Sequence, residues 1–262
     1  MKHKTLFIIC LCAALIIALI AAVICVHIMS ADISSVVWYK DIPPVISHEN
    51  AYIEYFDYSS LNEEIKTIHP SERDELLALP DETLTGLSTY GLLVTCLDYP
   101  LFGNIVFYDS LTEGFENVSH AYNGLSELLS RDDIGAVIID FYKQVEYENV
   151  IKTDKYGTLR LKYLELMIAS DEVIQTMTYD MRQELLRACI DKFTVAVDEY
   201  DDVISPFTTA LIAGRILYID CEEFREIADS EEVVMDFLNG SGATIRDELW
   251  DRIVDCVKTY VR

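Results

Sequence analysis

The side chains able to do chemistry are few and scattered. Five histidines (His3, His27, His48, His69 and His120) and seven cysteines are spread through 262 residues. His120 and Cys96 form a nucleophilic pair only if the fold joins them, because a thiol needs a neighbouring base or cation to ionise. Their spacing does not select that pairing, and an isolated surface histidine is the simpler expectation. Glu127 and Asp140 are conceivable acids for hydrolysis by paired carboxylates. That chemistry needs two carboxyl groups converging in one cleft, one of them held against an apolar wall.

Two acidic runs, DEYDD (198–202) and DCEEFREIADSEE (220–232), are the sharpest polar features. Hard cations want several carboxylate oxygens, but neither run has the alternating spacing and central glycine of a preformed loop. Solvated helix ends explain them better. Arg215 is a lone cation inside the apolar run SPFTTALIAGRILYID. Such an arginine is more often paired with a carboxylate or extended to the surface than kept for an anionic ligand. No H-E-x-x-H, G-x-S-x-G, Walker A, G-x-G-x-x-G or Ca-loop pattern occurs. The sequence therefore singles out no catalytic, cofactor-binding or metal-ligating residue, and calls for no cofactor.

The elements that would hold these residues are helical. In STYGLLVTCLDYPLF (88–102), Leu92, Leu93, Cys96 and Leu97 share one helix face, and Pro100 ends the helix. Leu101, Phe102, Ile105, Val106 and Phe107 are expected to fill the gap to the next helix, which starts at Ser110. The YNGL at 122–125 reads as a turn using positive φ at Asn123-Gly124. Ser71 is placed to cap a helix that Pro80 stops. Leu186, Cys189, Ile190, Phe193, Val197 and Tyr200 form one apolar stripe, and Ile245, Leu249, Ile253, Val257 and Tyr260 another. Phe207 to Ile219 is apolar on nearly all sides and is the candidate central helix. Strand-type alternation bounded by Asn-Gly hairpins is missing. The expectation is all-α, with nine to eleven helices in a bundle or an irregular HEAT-like stack. The stack is suggested only by Glu-Leu-Leu at 75–77, 127–129 and 184–186.

The first thirty residues are different in kind. From Leu6 to Met29 the chain carries no formal charge over 24 residues. As a helix this reaches roughly 36 Å, enough to cross a hydrocarbon core of about 30 Å. It is longer than a signal peptide's apolar region and lacks a small-residue cleavage site. The expectation is an uncleaved signal anchor, residues 1–30 with the span at 6–29. Lys2 and Lys4 place the N-terminus in the cytoplasm and the rest outside, single-pass. Residues 31–50, with Pro43-Pro44, read as an extended stalk, and 51–262 as the extracytoplasmic helical domain. Residues 31–262 hold 18 basic and 45 acidic residues, a net −27. Such a surface repels nucleic acid and anionic headgroups, so nucleic-acid binding is excluded as a function class. The cysteines beyond the anchor, Cys96, Cys189, Cys221 and Cys256, are too sparse for a disulfide framework. Their pairing stays open.

Residues 88–135 carry a Thr-Cys-Leu-x-Tyr-Pro helix end, an acidic-Ser helix start, Asn-Gly-Leu-x-Glu-Leu and an Arg-Asp restart. This stretch, about a fifth of the chain, resembles a segment of exported all-helical proteins of gut-dwelling bacteria. That group has no assigned activity, so the resemblance implies an exported, helical, bacterial protein and no chemistry. Two function classes follow. The first is a membrane-tethered helical module that binds a protein or envelope polymer. The second is a small envelope hydrolase using paired carboxylates.

Overall fold

A computed structural model describes residues 38–40, 42, 54–153, 156–200, 203–241 and 247–261. The expected anchor (6–29) and most of the expected stalk lie outside the described residues. Among the described residues no helix is long and apolar enough to cross a membrane. All described residues belong to one unit, Val36–Arg262.

The domain is all-helical, as the periodicity predicts, but in more and shorter pieces. The described residues form fifteen α-helices, three 3-10 segments and no strand. The N-terminal half contains α1 (Asn62–Thr67), α2 (Arg73–Leu77), α3 (Asp81–Gly86), α4 (Thr89–Leu97), α5 (Leu111–Ala121), α6 (Asn123–Leu129) and α7 (Ile134–Gln144). It continues through α8 (Tyr147–Thr153), α9 (Gly157–Ala169) and α10 (Asp171–Thr176). The C-terminal half contains α11 (Tyr179–Tyr200), α12 (Phe207–Asp220), α13 (Glu222–Ser230), α14 (Glu232–Leu238) and α15 (Asp247–Tyr260). The 3-10 segments are Tyr58–Leu61, Pro70–Glu72 and Phe102–Phe107.

The helix α12 sits at the centre, against α9, α11, α13, α14 and α15. Its apolar circumference requires that position: Phe207 to Gly214, Ile216 and Leu217 are all buried. The stripe on α11 is buried through Leu186, Cys189 and Phe193, then shifts to Ala196 and leaves Val197 exposed. On α15, Leu249, Ile253 and Val257 face the core, and Phe193 stacks on Trp250. The three Glu-Leu-Leu triplets occupy non-equivalent places: the end of α2, the end of α6 and the second turn of α11.

Local chemistry sets several boundaries. The side chains of Ser88 and Ser110 accept hydrogen bonds from the backbone N–H groups of Gly91 (3.1 Å) and Glu113 (3.0 Å), capping α4 and α5. Ser71 is no cap: the His69 ring takes that role, accepting from the Ser71 N–H. Asn123 is not a positive-φ turn residue either, because it opens α6. Its amide clasps Leu79, accepting from the Leu79 N–H (2.9 Å) and donating to its carbonyl (2.8 Å). That arrangement ties α6 to the segment before α3.

The described part of the expected stalk is core, not spacer. Trp38, Tyr39 and Ile42 are buried. The Tyr39 hydroxyl donates to Asp98 Oδ1 (2.8 Å), Lys40 pairs with Asp98 Oδ2 (3.1 Å), and the Tyr90 hydroxyl donates to the Ile42 carbonyl (2.5 Å). Two large aromatic residues and an isoleucine in WYKDI carry too much apolar area to stay in water, and this outweighs the stalk signal of the prolines that follow. Asp98→Ala removes the carboxylate that both Tyr39 and Lys40 use. We expect a loss of about 1.5–3 kcal/mol and faster limited proteolysis within 31–50, read by denaturant titration and peptide mapping. Unchanged proteolysis would mean that packing alone holds the segment.

Candidate functional site

The expected packing of STYGLLVTCLDYPLF holds up to Ile105 and then fails. Leu92, Leu93, Cys96, Leu97, Phe102 and Ile105 are buried. Val106 is 50 %, Phe107 79 % and Tyr108 41 % exposed, three consecutive large apolar residues on the surface. Scattered exposed apolar residues are ordinary, but a contiguous run is not. The run is also rigidly mounted. Phe102 and Ile105 anchor the 3-10 segment from below, and α5 lies directly against it. Gly114 permits that approach, since a Cβ there would sit 2.1 Å from the Ile105 carbonyl oxygen. Asp109 and Glu113, both exposed, follow the run in sequence.

The residues singled out as chemical candidates are not brought together. Cys96 is buried and its thiol is pushed up by burial, while His120 is exposed on α5. Glu127 pairs with Arg131 (2.8 Å) at the surface of α6, and Asp140 lies on α7. Arg215 finds carbonyls rather than a carboxylate. It donates to Leu238 O (2.9 Å) and Ala169 O (2.7 Å), the last residues of α14 and α9. Those groups have no partner within their own helices, so Arg215 closes two helix ends at once. Asp220, from the second acidic run, forms a two-point pair with Arg182 (2.6 and 2.8 Å). Asp201 and Asp202 of the first run lie outside the described residues. Among the described residues no group of three or more His, Cys, Asp or Glu is arranged to hold one metal ion.

The polar centre of the domain is one that sequence reasoning missed. Glu165, on α9, is 1 % exposed. Its Oε1 accepts from the Tyr142 (2.6 Å) and Thr209 (2.7 Å) hydroxyls, and its Oε2 accepts from Thr208. Burial raises its pKa, while the three hydroxyls and nearby Lys192 pull it back down. The signal was present: Glu165 is a lone acid in the apolar run YLELMIA, the counterpart of Arg215 in α12.

Lys192, on α11, lies beside this centre. Its Nζ donates to the Val145 carbonyl (2.6 Å) at the end of α7 and sits 4.8 Å and 5.4 Å from the ring centroids of Tyr142 and Tyr147. Burial lowers its pKa to about 8, against the opposing pull of Glu165, Cys189, Asp191 and Glu146. The Tyr147 hydroxyl is buried in hydrogen-bond geometry with no group, within reach of Tyr142 and Thr209. Outside Lys192 is a surface cavity of about 420 Å³, lined also by Val145, Glu146, Tyr147, Val195 and Tyr200. No protein-family profile, curated protein or solved structure matches the chain.

Proposed function

We propose that the protein is a single-pass, membrane-tethered module whose acidic helical domain works outside the cytoplasm and binds a basic protein segment through Val106, Phe107 and Tyr108. The observation that carries this reading is the rigid, exposed apolar run beginning at Val106. Burying a side chain such as Phe107 in a partner's pocket is worth about 1.5–3 kcal/mol, and aromatic anchors of this kind dominate interfaces. The net −27 of residues 31–262 favours a cationic partner and speeds its approach. The anchor at 6–29 supplies attachment. The likeness of 88–135 to exported bacterial helical proteins agrees with a place outside the cytoplasm.

The test is proximity labelling from the intact, membrane-bound chain, wild type against Phe107→Ser. Because Phe107 is mostly in water, the substitution should change stability by no more than about 0.5 kcal/mol. Capture of a basic partner should fall at least tenfold. Equal capture by the two proteins would remove this face as the binding surface. A partner with no basic segment would remove the charge argument.

A further inference from the structure

We propose that Lys192 is a carbonyl-reactive amine, forming an imine with a small uncharged aldehyde that enters the cavity between the α7–α8 junction and α11. This goes beyond the interaction reading and uses a different part of the surface.

Three features of the geometry converge on it. Lys192 lines a surface cavity of about 420 Å³, a volume within the range of small-molecule sites. Its amine is fixed there by the Val145 carbonyl and by the Tyr142 and Tyr147 rings rather than by a carboxylate. A lysine held in that way keeps no salt bridge that would trap its proton. The Tyr147 hydroxyl, buried and without a hydrogen bond, lies next to hydroxyls that lead to Glu165. Burial holds the proton on the Tyr147 hydroxyl, so the phenol is a neutral hydrogen-bonding group beside the amine.

The step balances without an outside oxidant or reductant. The neutral amine attacks the carbonyl carbon and a C–N bond forms. The carbonyl oxygen takes up two protons, replacing the two lost by the nitrogen, and leaves as water. Solvent in the open cavity carries those protons from nitrogen to oxygen. The cavity also selects. Glu146, Glu148 and Asp191 border it, so anionic aldehydes and keto acids are repelled while neutral ones are not. The lowered pKa supplies free amine near neutrality. At pH 7 a group titrating near 8 is deprotonated roughly three-hundredfold more often than one titrating near 10.5.

The experiment uses the full chain with glyceraldehyde as probe and cyanoborohydride to reduce any imine, followed by peptide mapping. Lys192 should be alkylated at least tenfold faster at pH 7 than Lys143, Lys66 or Lys258. That preference should disappear in urea, where Lys192 becomes an ordinary lysine. In Lys192→Arg the labelling at this position should vanish, while an unchanged circular-dichroism spectrum and denaturant midpoint show an intact fold. Pyridoxal phosphate, an anionic aldehyde, should show no preference for Lys192. Glyceraldehyde labelling of Lys192 at or below the rate of the exposed lysines would overturn the proposal. Preferential labelling by both aldehydes would keep the amine but overturn the charge selection.

Discussion

Replacing Glu165 by alanine is expected to cost about 3–5 kcal/mol, as much as truncating a fully buried aromatic side chain. Two effects oppose each other. Removing a buried carboxyl relieves the cost of burying it, which stabilises the variant. It also deprives Tyr142, Thr208 and Thr209 of their shared acceptor and leaves a void at the meeting point of α7, α9 and α12. The two threonines, in the first turn of α12, can turn their hydroxyls to carbonyls just ahead of the helix, whereas Tyr142, fully buried, is left with only the Tyr147 hydroxyl within reach. The loss therefore wins. Glu165→Gln separates the contributions, because its carbonyl still accepts from Tyr142 and Thr209. It should cost less than about 1.5 kcal/mol. Its pH dependence has a definite sign. The folded pKa of Glu165 is raised, so its contribution is fully present below the ordinary glutamate value near 4.5 and is lost as pH rises through the folded value. The glutamine variant has no such loss, so it should gain on wild type as pH increases from about 4.5. Denaturant titrations at pH 4, 5.5 and 7 measure this. A constant difference would mean that the fold leaves the carboxyl's pKa where the unfolded chain has it, and a wild type that gains on glutamine as pH rises would mean a lowered one.

Where a short sequence rule decides the structure, the sequence was sufficient. The apolar circumference of α12 required a central position, and Ser110 starts α5 as its cap. The failures share a cause: each depends on which non-local surface is available. WYKDI looked like tether because its neighbours are prolines, but Asp98 and the Tyr90 hydroxyl, 48 to 59 residues away, hold it in place. Val106 and Phe107 looked like core because they are apolar, but the 3-10 segment turns Phe102 and Ile105 inward and leaves these two outside. Asn123 looked like a turn because Asn-Gly usually is one, yet the Leu79 backbone 44 residues earlier competes for its amide. The helix count was low because Pro70, Pro80 and Pro100 break the N-terminal half into single-turn pieces that periodicity cannot resolve. Glu165 and Lys192 belong to different helices, so no spacing rule joins them. Only the lone acid in an apolar run hinted that a buried polar centre exists.

Lys192→Met should make the protein slightly more stable near neutral pH, by up to about 1 kcal/mol. Moving a buried ammonium from its ordinary 10.5 to about 8 corresponds to roughly 3 kcal/mol at full burial. The open cavity lets solvent reduce that figure. Against it stand the bond to the Val145 carbonyl and the two tyrosine rings, each worth about 0.5–1.5 kcal/mol. The folded pKa is lowered, so the folded state carries the cost of a buried cation below pH 8. Between 8 and 10.5 the unfolded chain keeps its proton while the folded chain has released it, and wild-type stability rises with pH. The advantage of methionine should therefore shrink above pH 8 and vanish by about 10.5, where the neutral amine still donates to Val145 and a thioether cannot. The charges that shape this titration are Glu165, Asp191 and Glu146, with the Cys189 thiol beside them. Denaturant midpoints for both proteins at pH 7, 9 and 10.5 test it. A variant less stable at pH 7 would make Lys192 a strut between α7 and α11, kept for its bonds. A variant more stable at pH 7 would show a lysine retained at a cost to the fold, which is the pattern expected when a side chain is kept for what it does rather than for what it holds together.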